Sequence, residues 1–125
     1  MNSSMKENII QEKSYYFAIQ IVKLAQQLVA KDKEFVLSRQ VLRSGTSIGA
    51  NVEEAQGAQS KRDFVAKMTI AYKEARETLY WIRLLKDSGY LNEKLSVYFL
   101  NAINEILSII VTILKTSKKE DRDNS

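Results

Sequence analysis

Arg62, Lys73, Arg76 and Arg83 are spaced so that, at roughly 100° per residue on a helix, they fall within about 80° of one another, with Thr69 and Tyr80 on the same face. Cationic side chains in such a stripe suit phosphate contacts, and guanidinium groups beside a tyrosine suit base stacking as well. Arg39 and Arg43, one helical turn apart, add a second basic pair. The competing reading is a solvated, salt-bridged face, because Glu53, Glu74, Glu77 and Asp87 are near enough in sequence to neutralise part of the stripe.

Catalytic chemistry is far less well supplied. The chain has no histidine and no cysteine. The usual general base near neutral pH, a Ser-His pair, a thiolate metal site and the Glu-x-x-His ligand set of a di-metal bundle are therefore all excluded. Glu53 and Glu54 are neighbouring carboxylates, but adjacent helical residues point about 100° apart, which suits a solvated face or arginine partners rather than an acid/base dyad. A site built on Glu54 and Asn51 is the remaining enzymatic alternative. The glycines form no phosphate-binding loop. No catalytic residue, cofactor or metal ligand is assigned.

The elements that must carry the stripe follow from periodicity. A chain of 125 residues without proline and with only four glycines reads as one all-α domain. Phe17, Ile21, Leu24 and Leu28 predict a first helix over residues 14–31, with Ser14 as its N-cap. Val41, Gly45, Ile48 and Val52 predict a second over 34–56, after the charged break Lys31-Asp32-Lys33-Glu34. Ser60 with Asp63 resembles a capping box ahead of Phe64, Met68, Ala71, Ala75, Leu79 and Ile82, so a third helix is expected over 60–88, stopped by Gly89. Asn92 then caps a fourth over 92–115, which carries Leu95, Phe99, Ile103, Ile106, Ile110 and Ile113. Residues 116–125 are polar and expected to be disordered. Short connections favour antiparallel neighbours, and hence an up-down-up-down four-helix bundle.

Two features exceed what a lone bundle needs. Gly45 and Gly49 lie one turn apart in a helix interior, where each costs about 1 kcal/mol relative to alanine. Close approach of a neighbouring helix offsets that cost; a ligand against bare backbone is the alternative. Beside them Gln40, Ser44, Ser47 and Asn51 form a polar strip, read first as interhelical hydrogen bonding and second as a binding site. The apolar arc of the fourth helix covers about 200°, where a surface helix needs little more than about 100°. Ile70, Trp81 and Leu84 lie off the third helix's stripe, so with Leu100, Leu107 and Val111 they form the expected oligomer interface; the alternative is that Trp81 and its neighbours fold under the loops.

The segment MNSSMKENIIQEKS lacks the apolar stretch of a signal peptide, and ILSIIVTIL is too short to span a bilayer. A soluble, cytoplasmic protein without a membrane partner is expected. The net charge of +4 permits a polyanion partner without requiring one.

The stretch LRSGTSIGANVEEAQGAQSKRDFVAKMTIAYKEARETLYWIRLLKDSGYL resembles the 23S ribosomal RNA intervening-sequence proteins, the bacterial "four helix bundle protein" family. The resemblance is carried by Arg39, Arg43, Ser44, Ser47, Ile48, Asn51, Glu54, Ser60, Phe64, Ala71, Glu74, Trp81 and Gly89-Tyr90-Leu91, and extends roughly from Phe17 to Ile113. Val52-Glu53-Glu54-Ala55 stands where many relatives carry an Ala-Glu-Gly run, which places the chain in a subgroup. The resemblance implies a left-handed up-down-up-down bundle that assembles into a homopentameric ring, as in the related accessory protein of diversity-generating retroelements. That relative uses a basic surface to engage nucleic acid and a reverse transcriptase. The expected function is binding of RNA, DNA or a nucleoprotein partner through Arg39, Arg43, Arg62, Lys73, Arg76 and Arg83; the alternative is a structural protein-interaction module.

Overall fold

The computed structural model describes residues 3–123, which form four α-helices: α1 (Ser3–Asp32), α2 (Leu37–Gln56), α3 (Lys61–Asp87) and α4 (Glu93–Asp123). No strand occurs among the described residues. α2 packs on α1 and α3, and α4 packs on α3 and returns to α1. Ile21, Ile48, Ile82 and Ile103, one from each helix, are fully buried at the centre.

The three connections are short and chemically explicit. Between α1 and α2, Lys33 takes a left-handed conformation (φ 54°), and the Glu34 carboxylate accepts from the Leu37 N–H at 2.5 Å and the Ser38 N–H at 3.4 Å. It thereby satisfies donors that Val36, at the cap position, has no side chain to reach. Ser60 Oγ accepts from Asp63 N at 3.0 Å, as the capping sequence predicts. After α3, Gly89 adopts φ 86°, while Gly89 N donates to the Lys86 carbonyl at 3.1 Å and Tyr90 N to that of Leu85 at 2.9 Å. This is a Schellman stop, and it depends on a residue that tolerates positive φ. Asn92 Oδ1 accepts from Leu95 N at 2.8 Å and starts α4.

Three sequence boundaries need correction. α1 does not start at Ser14 but runs from Ser3, because Ile10 continues the apolar stripe and is fully buried. Ser14 is an interior residue, 1 % exposed, whose hydroxyl donates to the Gln11 carbonyl at 3.3 Å. α2 starts at Leu37 rather than at residue 34, since Glu34 serves as its cap. α4 continues through the supposedly disordered stretch to Asp123: Ser117 is buried, and Glu120 forms an ion pair with Lys61 at the start of α3. Asn124 and Ser125 of that stretch lie outside the described residues.

The paired glycines sit where α1 and α2 cross. A Cβ on Gly45 would come within 2.9 Å of both Cγ atoms of Ile21, and one on Gly49 within 3.3 Å of the Ser14 carbonyl oxygen. Bare backbone is thus what lets the two helices approach, and the energy gained is α1–α2 packing. α4 is broadly apolar, with Leu95, Leu100, Leu107 and Leu114 half-buried around a fully packed stripe. By length and composition it is apolar enough to cross a membrane, although ILSIIVTIL alone is too short. In the bundle, the same width lets α4 serve the core along its whole length.

Candidate nucleic-acid interface on the third helix

The core face of α3 is set by Met68, Ala71, Ala75, Thr78, Ile82 and Leu85, all buried. Arg62, Lys73, Arg76 and Arg83 are exposed, about half a turn away from that face. Tyr80 shares their side and is 54 % exposed. Thr69, half-buried, donates its hydroxyl to the Val65 carbonyl at 2.7 Å, so it caps nothing beyond its own helix.

Whether this stripe is a free basic surface depends on where the acids go. Glu74 and Glu77 turn to the α2 side of α3, where both engage Arg43: Nη1 to Glu74 Oε2 at 3.0 Å and Nη2 to Glu77 Oε2 at 2.5 Å. Glu54 faces Lys67 at 3.4 Å instead of an arginine. Among the described residues, Arg62, Lys73, Arg76 and Arg83 have no ion-pair partner. The salt-bridged face anticipated for the stripe has therefore formed one flank over, between α2 and α3.

Glu77 is the centre of that flank. The Trp81 indole N–H donates to it at 2.9 Å, and this bond, followed by that from Arg43, holds the Glu77 carboxyl below the usual carboxylate range. Glu77 in turn raises the Arg43 guanidinium further above its ordinary value, with Glu74 adding to the effect. One residue further along each helix, the buried hydroxyls of Ser44 and Thr78 are hydrogen-bonded at 2.9 Å, and Thr78 Oγ1 also lies 2.8 Å from the Glu74 carbonyl. Two other residues of the polar strip bond back to α2 itself: Ser47 donates to the Arg43 carbonyl at 2.6 Å and Asn51 to that of Ser47 at 2.8 Å. Only Ser44 makes the interhelical bond expected of the strip.

The six cations grouped by sequence are therefore divided. Four remain together on α3. Arg43 is committed to the α2–α3 ion pairs. Arg39 stands over a separate groove between α1 and α2 of about 500 Å³, lined by Val22, Ala25, Val29, Phe35 and Leu42. Helical arithmetic pairs Arg39 with Arg43 on one helix, and it carries no information on which flank of α2 faces α3.

The expected oligomer interface is divided as well. Trp81, Leu100 and Leu107 are half-buried and packed on the core, so Trp81 is not an exposed anchor. Leu84 and Val111 are half-buried, and of the six only Ile70, at 41 %, is counted among the exposed large apolar residues. A larger apolar surface lies elsewhere: Tyr15, Ile19 and Val22 on α1, Phe35 and Val36 in the connection, and Leu42 on α2 are all exposed. Its signal was present in α1, where apolar residues fall outside the stripe of Phe17, Ile21, Leu24 and Leu28. A second groove, about 510 Å³, opens between α1 and α4 beside the Lys13–Glu105 ion pair at 3.0 Å. There burial pushes the Tyr98 phenol up, and Tyr16 beside it adds to the shift.

The sequence matches the family model described as 23S rRNA-intervening sequence protein over residues 6–112. Among solved structures, the chain is similar to a protein of unknown function from the S23 ribosomal protein family of Bacteroides thetaiotaomicron VPI-5482. The two are 47 % identical, with 88 % of this chain and 98 % of that one covered and a TM-score of 0.86. No curated protein matches the chain.

Proposed function

Because this chain belongs to the 23S rRNA-intervening sequence protein family, we propose that it is a non-catalytic homo-oligomer that binds RNA or an RNA-containing partner through the outward face of α3. The observation that carries this reading is the separation of charge: Glu74 and Glu77 are consumed by Arg43, which leaves Arg62, Lys73, Arg76 and Arg83 without an ion-pair partner among the described residues and Asp87, at the C-terminal end of α3, as the one acid left on their face. The solved relative's description as a member of an S23 ribosomal protein family fits RNA as the polyanion.

We read the bundle as up-down-up-down. Ser14 beside Gly49 and Ile21 beside Gly45, then Glu54 beside Lys67 and Arg43 beside Glu77, support opposite chain directions for successive helices. The left-handed turn and a pentameric ring rest on the family resemblance. The exposed apolar surface around Tyr15, Ile19, Val22 and Leu42, with Ile70 exposed singly on α3, suits a head-to-tail contact that closes into a ring. A ring would repeat the α3 stripe around its axis and multiply weak phosphate contacts.

The test is fluorescence anisotropy with several RNAs and DNAs across a salt series. Affinity falls steeply with salt, and Lys73→Ala with Arg76→Ala weakens all sequences alike, since phosphate contacts carry no sequence information. No binding at low salt, or binding indifferent to the double variant, would favour a protein-interaction module instead.

A further inference from the structure

We propose that the α3 stripe is built for single-stranded RNA, with a base stacked on the ring of Tyr80, rather than for a duplex; this rests on the reading of the stripe as an RNA-binding face. Tyr80 is 54 % exposed, yet its ring is not loose. It meets the Trp81 ring edge to face, with centroids 5.1 Å apart and planes at 73°. Trp81 is itself fixed, because it packs on the core and its indole N–H is held by Glu77, which Arg43 anchors from α2. A relay from Arg43 through Glu77 and Trp81 therefore braces Tyr80 from one side and leaves it open to solvent on the other.

That bracing matters because an exposed aromatic ring ordinarily loses rotamer freedom when a ligand settles on it. Here part of that ordering is already present in the fold. Arg76 and Arg83 lie one turn to either side of Tyr80 on the same face, each displaced by about 5 Å along the axis. A flexible strand can set its phosphates on these two cations while the intervening base turns onto the ring. A duplex offers the same cations its phosphates, but its base faces are already covered by stacking, so Tyr80 contributes nothing to its binding. Every base has a π-face, so the preference is for strandedness and not for sequence.

The experiment compares a labelled oligouridylate with an RNA duplex of the same length, at fixed low salt, for the wild type, Tyr80→Leu, Tyr80→Phe and the Lys73→Ala, Arg76→Ala double variant. The expected result is that Tyr80→Leu weakens oligouridylate about tenfold and leaves the duplex unchanged. Tyr80→Phe keeps the wild-type affinity for both, and the double variant weakens both. If Tyr80→Leu affects neither ligand, or both equally, while the double variant still weakens both, the stacking proposal is overturned and the phosphate-binding face stands. If the double variant affects neither, or the wild type binds neither ligand, the face itself is lost and the stacking proposal with it. Circular dichroism of each variant guards against misfolding, which the exposure of all three positions makes a minor concern.

Discussion

Arg43 on α2 reaches Glu77 on α3 at 2.5 Å, and this one contact decides the electrostatics of the bundle's surface. It withdraws an acid from the basic stripe, fixes Trp81 through the same carboxylate oxygen, and ties together the two helices that hold Ser44 and Thr78.

The contact has a pH signature. The Glu77 carboxyl is held below its ordinary value by Trp81 and Arg43, so it contributes stability above the unfolded carboxylate range that is lost as pH falls through the folded value. Glu77→Gln should lower the thermal midpoint at neutral pH by an amount worth under about 1 kcal/mol, because the pair is partly exposed and screened. The variant should also lose less stability on acidification below about pH 4 than the wild type does. Parallel pH profiles for the two proteins would remove Glu77 as a source of acid sensitivity.

The buried Ser44–Thr78 pair tests how α2 and α3 are registered. Thr78→Val leaves the Ser44 hydroxyl in a dry interface without its interhelical partner, and should cost about 1–3 kcal/mol in urea unfolding. Adding Ser44→Ala should recover part of that loss, since no orphaned hydroxyl then remains. Strictly additive losses would mean the two hydroxyls are not coupled.

Close approach at the paired glycines predicts overpacking. Gly45→Leu and Gly49→Leu should each destabilise the bundle by about 1–3 kcal/mol, as Ile21 and the Ser14 backbone must move. Denaturation midpoints equal to wild type would show that these positions face open space.

The start of α3 rests on a single side chain. Ser60→Ala removes the acceptor for Asp63 N and should lower stability by about 1 kcal/mol, with helicity lost near Lys61 in hydrogen exchange. Unchanged protection there would assign the helix start to packing of Phe64 alone.

Assembly can be read by sedimentation equilibrium at micromolar protein. The wild type should sediment as a closed oligomer, and Leu42→Glu or Ile70→Glu, on different faces, should each reduce the mass toward the monomer. A wild type at monomer mass would leave the ring without support.

Local chemistry was legible in the residues. Ser60, Gly89 and Asn92 mark helix ends because the donors and acceptors they satisfy lie within a few residues of them, and the stripe from Arg62 to Arg83 is coherent because one helix sets its spacing. The same logic found the helix-crossing glycines, whose cost at Gly45 and Gly49 had to be offset by a neighbour. It failed at the start of α1, where Ser14 has the composition of a cap but is held in the helix interior by the burial of Ile10 and the contact with Gly49.

What no single helix can encode is which flank its neighbour covers. Sequence spacing put Glu74 and Glu77 close to the basic stripe and made Arg39 and Arg43 a second basic pair on another helix. Packing of α2 against α3 gave the two acids to Arg43, turned Arg39 toward α1, and buried part of Trp81. Periodicity fixes a residue's direction relative to its own helix, whereas ion pairing and exposure depend on the rotation of one helix against another. Only the tertiary structure sets that rotation, because it is the arrangement in which all four apolar stripes are buried together.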